Sequence, residues 1–424
     1  MTKTRWFAVI YGLVLAAVTL VGIEVAAGFY APAWPARALR TMPPFNDAGA
    51  LKAVTDKPWI TKAFNSWGMN DVERSLTKPA NVAFRSVFVG DSLVEFGLNR
   101  QTLPAAVEER ATAAGAKGFE AINLGISGTN PRSYYYRARD VALSLQPDAL
   151  TVFFFCGNDF MSSDEAFGSG LLPPLIDESA GGSILGSVMP RTNWLIVNRF
   201  RLSEALRGNK PIPGEFDMLY DIAHRPPTER MPALVRHMKK YYYPDMSDER
   251  LTEIFSRGGD RFWKIFEPRP HDEEYLMGWL LNLIVQAEVR QDDMAAIRTP
   301  EDAAKIVGGE IEGTMSWLLA MQRLAESHHV PLRIFIIPTA NVSPDFVEFW
   351  KPWPRYFSWY VLSEVRRQRL IAALARTTVP FVDLTPDLQG KTGVYRMTDA
   401  HWTEKGVGIA ADRVYSELTK IMPH

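Results

Sequence analysis

Apolar positions along the chain follow two rhythms. Short, nearly unbroken apolar runs occur at 85–90 (RSVFVG), 119–125 (FEAINLG), 149–157 (ALTVFFFCG), 332–340 (LRIFIIPTA) and 380–388 (PFVDLTPDL). Each is bounded by Gly, Asp or Pro, the pattern of strands buried on both faces. Between and after them, residues 104–116, 131–146, 359–377 and 404–422 space their apolar positions at helical intervals. This alternation predicts an α/β fold, a three-layer doubly wound parallel sheet with helices on both faces.

From about 160 to 330 the strand rhythm disappears. Helix-like stretches at 273–291 and 310–328 are separated by Pro/Gly-bearing segments such as GNKPIPGEF and YYYPDMSDERL. The expected organisation is therefore an α/β domain over 82–160 plus 330–424 carrying a mainly helical insertion, 161–329. A structureless loop of that length would be unusual inside a compact domain.

At the amino end, residues 6–23 are uncharged and follow Lys3 and Arg5. The run approaches the length that spans a bilayer, and Trp6 and Tyr30 stand where interfacial anchors would. Residues 1–30 are expected to form a signal anchor or transmembrane helix. A signal peptide cleaved after VAA, before Gly28, and a buried core helix are the competing readings. Residues 31–81 read as a linker and N-terminal segment, stiffened by four prolines within 31–45. Lys3 and Arg5 favour a cytoplasmic amino end, and Arg37 and Arg40 weaken that bias without reversing it. The expected localisation is a single-pass cell-membrane protein with its body periplasmic or extracellular.

Composition narrows the function classes. Lys+Arg 47 against Asp+Glu 48 leaves a net charge of -1, which argues against nucleic acid as a partner. Cys156 is the only cysteine, so no intrachain disulfide can form, and with seven scattered histidines no metal site is expected. His328-His329 reads as a solvated helix end.

The chemistry gathers at strand ends. Gly90-Asp91-Ser92-Leu93 follows the first strand, and the second runs into Gly125-Ile126-Ser127-Gly128. Gly157-Asn158-Asp159 follows the third, and Asp399-Ala400-His401-Trp402 precedes the last helix. Serine catalysis needs an exposed hydroxyl, an imidazole, an orienting carboxylate and oxyanion donors, and in doubly wound sheets ligand sites form at the carboxyl ends of strands. Taken singly, each of these is ordinary turn chemistry.

In this order, the blocks resemble those of the SGNH, or GDSL, hydrolases. The resemblance covers the α/β part and not the insertion. It implies Ser92 as nucleophile, His401 as general base and Asp399 as its orienting carboxylate. It implies an oxyanion hole built from the Ser92 N–H, the Gly128 N–H and the Asn158 amide, with no cofactor. The usual terminal block is D-x-x-H; the D-x-H-W here is similar to that of membrane-associated SGNH proteins of the exopolysaccharide O-acetyltransferase type. The shortened spacing leaves open whether Asp399 meets His401 or caps the helix beginning near Thr403. The expectation is a membrane-anchored esterase or O-acyltransferase acting on an acyl ester of a glycan or lipid, with a membrane-bound acyltransferase as a candidate partner. A catalytically silent subunit that binds a glycan or partner in a cell-envelope complex is the alternative. Asp91 and Cys156 read as structural. Arg132, Tyr134, Tyr135 and Tyr136 are candidates to face the cleft, and the Trp/Tyr-rich insertion is a candidate glycan groove.

Overall fold

The computed structural model describes residues 3–29, 65, 69–95, 101–168, 189, 191–192, 215–266, 274, 276–290 and 292–422. The proline-rich linker 31–45 and the GNKPIPG stretch lie outside them. Five strands form one sheet: β1 (Phe84–Gly90), β2 (Phe119–Gly125), β3 (Ala149–Phe155), β4 (Leu332–Ile337) and β5 (Phe381–Asp383). Their order is β2-β1-β3-β4-β5, and every pairing is parallel. The chain fills one side of β1 with β2 and then crosses to the other with β3. That reversal opens a crevice at the carboxyl ends of β1 and β3, where ligands bind in doubly wound sheets.

Both faces of the sheet are buried, and the period-two alternation of each strand divides them. Phe84, Phe88, Ala121 and Phe153 point into one core; Val87, Val89, Ile122, Val152 and Phe154 point into the other. On the first face lie α1 (Leu103–Ala113) and α2 (Glu404–Thr419); on the second lie α3 (Pro131–Asp140), α4 (Glu310–Ser327) and the end of α5 (Pro354–Leu374). The helix starts have local causes. Thr102 accepts the Ala105 N–H, Asn130 accepts the Ser133 N–H, and Thr403 accepts the Gly406 N–H, each satisfying an orphan donor of a first turn.

Four sequence expectations shift. The run 380–388 is strand only over Phe381–Asp383, because the Asp383 carboxylate accepts the Thr385 N–H and hydroxyl and turns the chain into a short helix, Thr385–Leu388. The helix 131–146 breaks at Val141, and a 3-10 turn follows over Ala142–Leu145. YYYPDMSDERL is not a loop throughout: Ser247 caps a helix that begins at Asp248. Finally α4, grouped above with the insertion, lies against the sheet as the crossover into β4, with Met315, Leu318 and Met321 in the second core.

Ahead of α4, the helices Glu215–His224, Pro227–Tyr241, Asp248–Ser256, Gly259–Lys264 and α6 (Gly278–Val289) share an apolar core continuous with the first face of the sheet. The amino-terminal helix, Lys3–Ala27, is long and apolar enough over Ile10–Ala27 to cross a membrane. Phe7, Tyr11, Val18 and Val21 on it are exposed, so it is not a buried core helix. Its Glu24 carboxylate accepts the Arg191 and Thr192 N–H groups at 2.8 and 3.0 Å.

Candidate active site

Ser92 opens a single helical turn, Ser92–Glu95, directly after β1. The turn lies down on the end of the sheet because two glycines let it. A Cβ at Gly90 would stand 2.5 Å from Val94 Cγ2, and one at Gly125, its partner in register on β2, 2.4 Å from Glu95 N. Asp91 Oδ1 accepts the Leu93 N–H at 3.0 Å, the structural role expected for it. Burial pushes the Asp91 carboxyl up to about 6, partly offset by the Leu93 N–H and by the nearby His401.

Behind this turn, the buried Arg137 donates to the carbonyls of Gly90 at 3.0 Å and Leu124 at 2.6 Å, and to Thr129 Oγ1 at 3.0 Å. Thr129 in turn donates to the Ile126 carbonyl at 2.6 Å, and Glu95 accepts the Ser127 N–H at 2.6 Å. The loop carrying Gly128 is therefore pinned from both sides. Gly128 itself has φ +70°, a left-handed conformation that favours glycine.

After β3, Asp159 folds back to accept the Phe155 N–H at 2.7 Å and the Tyr134 hydroxyl at 2.8 Å. That turn leaves Asn158 exposed at its tip. Burial, then the neighbouring Asp91, holds the Asp159 carboxyl well above the usual carboxylate range.

The last piece is a tight loop after β5. Tyr395 and Trp402 form an isolated bridge, the Arg396 N–H donates to the His401 carbonyl at 2.8 Å, and Thr403 N–H to the Val394 carbonyl at 3.0 Å. Between Asp399 and His401, Ala400 is left-handed at φ 58°, and Asp399 Oδ1 accepts the His401 N–H at 3.1 Å. This side-chain turn reverses the chain within one residue, so a D-x-H spacing suffices to bring the two side chains together. Asp399 Oδ2 stands 3.2 Å from His401 Nδ1 and also pairs with the buried Arg396 guanidinium. The helix cap nearby is Thr403, not Asp399. His401 Nε2 is 2.8 Å from Ser92 Oγ. In the tautomer that carries its proton on Nδ1, within ion-pair distance of Asp399, Nε2 faces Ser92 Oγ as an acceptor, the arrangement nucleophilic serine chemistry requires.

Ser92, Asn158, Asp399 and His401 line one cavity of about 470 Å³. Gly128 does not; it is exposed on its loop outside that lining. Nor do the α3 residues offered as cleft candidates: Tyr134 is buried against Asp159, and Tyr135 and Tyr136 pack on Trp317. The aromatics that do face the cavity are Phe155 at the end of β3 and Tyr356, Trp359 and Tyr360 of α5; among the described residues none comes from the insertion. Among the described residues, the insertion side contributes Leu283, Gln286, Ala287, Arg290 and Met294. Sequence reasoning missed all of these, because helical spacing marks a face as apolar without saying what it faces.

It missed two supports as well. Glu274, from the insertion, accepts the Met397 N–H at 2.6 Å and the Thr398 N–H and hydroxyl at 3.1 and 2.6 Å, clamping the loop that carries Asp399 and His401. Burial raises its carboxyl despite the nearby Arg396. Arg396 matches the Asp399 charge, and only its apposition in space reveals it. Cys156 is fully buried just past β3, with burial pushing its thiol well up, so it is inert structure. No group of three or more His, Cys, Asp or Glu side chains is placed to hold a metal among the described residues.

No family model and no curated protein matches the sequence. Solved structures similar to part of the chain include a GDSL-like lipase from Bacteroides thetaiotaomicron (11% identity, 79% of this chain and 88% of the other, TM-score 0.32). A lipase/acylhydrolase from Enterococcus faecalis (11%, 80% and 97%, TM-score 0.33) and an acetyl xylan esterase (10%, 79% and 100%, TM-score 0.33) are similar to the same degree. At those scores the reading of this site rests on its own geometry.

Proposed function

We propose that this chain is an SGNH-type serine esterase or O-acyltransferase that works through an acyl-serine intermediate. The observation that carries the proposal is that His401 stands between Ser92 and Asp399, its Nε2 2.8 Å from Ser92 Oγ and its Nδ1 3.2 Å from Asp399 Oδ2, at the cavity between sheet and insertion. Ser92 Oγ attacks the ester carbonyl carbon as His401 Nε2 takes its proton. Asp399 keeps the imidazole oriented and offsets the charge it gains. The negative oxygen of the tetrahedral intermediate meets the Ser92 N–H and the Asn158 amide. Gly128 N–H is a third donor on the strength of the motif alone. The carbon–oxygen bond to the leaving group then breaks, and His401 returns the proton to the departing alkoxide. Water, or a hydroxyl of an acceptor, attacks the acyl-Ser92 carbonyl by the same route in reverse. Those two outcomes share every residue named.

The substrate in this reading is an acyl ester of a glycan or lipid of the cell envelope. The apolar amino-terminal helix anchors the protein in the membrane, with the catalytic body outside the cytoplasm and a membrane-bound acyltransferase as an acyl-supplying partner. The Glu24 bonds to Arg191 and Thr192, which tie that helix to residues far along the chain, support a retained anchor over a cleaved signal. The test of the chemistry is labelling by a fluorophosphonate. The wild type is expected to carry the label on Ser92, and Ser92→Ala to carry none. A folded wild type that takes no label would favour the silent-subunit alternative. Mass measurement of the membrane-extracted protein reads whether residues 1–27 remain.

A further inference from the structure

The cavity beside Ser92 is larger than acetyl chemistry requires. An acetyl group has three heavy atoms at roughly 30 Å³ each, about the share of one water in the liquid, and would leave most of the 470 Å³ empty. The wall facing Ser92 and His401 is built from Leu283 and Ala287 of α6, Met294, and Tyr356, Trp359 and Tyr360 of α5. The Tyr356 and Tyr360 hydroxyls lie 3.2 Å apart and share one hydrogen bond, which leaves a single O–H donor on an otherwise apolar aromatic wall. Gln286 and Arg290 are the amide and charged residues on this side; Arg290 Nη2 donates to Asp292 at 2.8 Å, while its buried Nε has no protein partner. Those few donors sit at one part of a wall otherwise made of Leu283, Ala287, Met294 and ring faces, so a sugar ring would leave most of its hydroxyls against apolar surface, whereas each methylene of an alkyl chain gains by entering.

We propose that this cavity is an acyl-chain pocket and that the ester attacked by Ser92 carries a medium-length fatty acyl group, about eight carbons, in preference to acetyl. The proposal rests on the reading of Ser92 as nucleophile. An eight-carbon acyl group takes about 270 Å³ at the same volume per heavy atom. That leaves room at the mouth for the alcohol side of the ester, which is where a glycan or lipid head would sit. The insertion then acts as the specificity element, since α6 supplies the wall opposite the sheet.

The test is kcat/KM of the full-length protein in lipid nanodiscs on 4-nitrophenyl acetate, butyrate and octanoate, each below its micelle concentration. Ser92 labelling by a short-chain ethyl fluorophosphonate is followed in parallel. About fourfold per fully buried methylene gives up to about 4,000-fold over the six methylenes from acetyl to octanoyl, and burial of half of them already gives roughly sixtyfold; a gain of at least about fiftyfold is expected. Ala287→Phe, which fills the pocket from α6, is expected to cut the octanoyl-to-acetyl ratio at least about tenfold. Leu283→Trp does the same from the next turn if the first variant melts early. A flat or falling series on protein that labels at Ser92 overturns the acyl pocket and leaves the nucleophile standing. Absence of label on folded protein overturns both.

Discussion

The two sides of the cavity are made by different means. On the sheet side, Ser92 and Asn158 sit on turns of a few residues, and their positions follow from backbone hydrogen bonds, close glycines and buried carboxylates behind them. On the helix side, Leu283, Ala287 and Trp359 take their places from how α6 and α5 pack. The first construction fixes reacting atoms to within a few tenths of an ångström; the second sets the volume and polarity that a substrate meets. The loop 394–403 belongs to both, since it carries His401 and is clamped by Glu274 from the insertion.

If that division is right, substitutions on the sheet side should lower turnover for every ester alike, while those on the helix side should change which ester is preferred. Ser92→Ala is the most severe case, with kcat/KM expected to fall by about 10⁴-fold or more in a 4-nitrophenyl ester assay. Asp399→Asn removes the carboxylate from His401 and should cost about 10² to 10⁴ in kcat, with KM little changed. Asn158→Ala, which deletes one oxyanion donor, should cost about 10² to 10³. A loss confined to one chain length would break the comparison.

Glu274→Gln is the sharper probe, because Glu274 lies on the helical side yet holds the loop that carries Asp399 and His401. Replacing one acceptor oxygen by an amide leaves one of its three bonded donors facing another donor. About a ten- to hundredfold fall in kcat is expected, equal for acetyl and octanoyl esters. A change in chain-length preference instead would assign Glu274 to substrate shape.

The smallest effect concerns pH. Asp91 is raised to about 6 in the folded protein from an ordinary value near 3.8. Its contribution is therefore fully present below the unfolded value and is lost as pH rises through about 6, where burial must accommodate a charge. Asp91→Asn keeps an oxygen for the Leu93 N–H and removes that charge. Thermal melts of the variant should exceed wild type by a few degrees above pH 7 and converge with it near pH 4. A constant difference across pH would show that Asp91 stays neutral throughout.

Much of this was legible in the chain before any coordinates. Short apolar runs rich in aromatic and β-branched residues, such as VFFFC and IFII, read as strands buried on both faces, and Gly-Asp-Ser and Gly-Asn-Asp mark where β1 and β3 end. The left-handed link at Ala400 was not legible, since alanine carries no signal for positive φ, and so the meeting of Asp399 with His401 stayed open. The brevity of β5 also escaped, because PFVDLTPDL reads as strand until the Asp383 side chain captures Thr385.

By itself the sequence determined the strands, their parallel arrangement and the order of the chemical groups, because those follow from local periodicity and turn chemistry. Tertiary structure alone decided three things: that α4 is a crossover helix, that Arg396 and Glu274 brace the loop carrying Asp399 and His401, and that the cavity's far wall is mostly apolar. Each depends on contacts between residues distant along the chain, and no local pattern encodes which faces will meet.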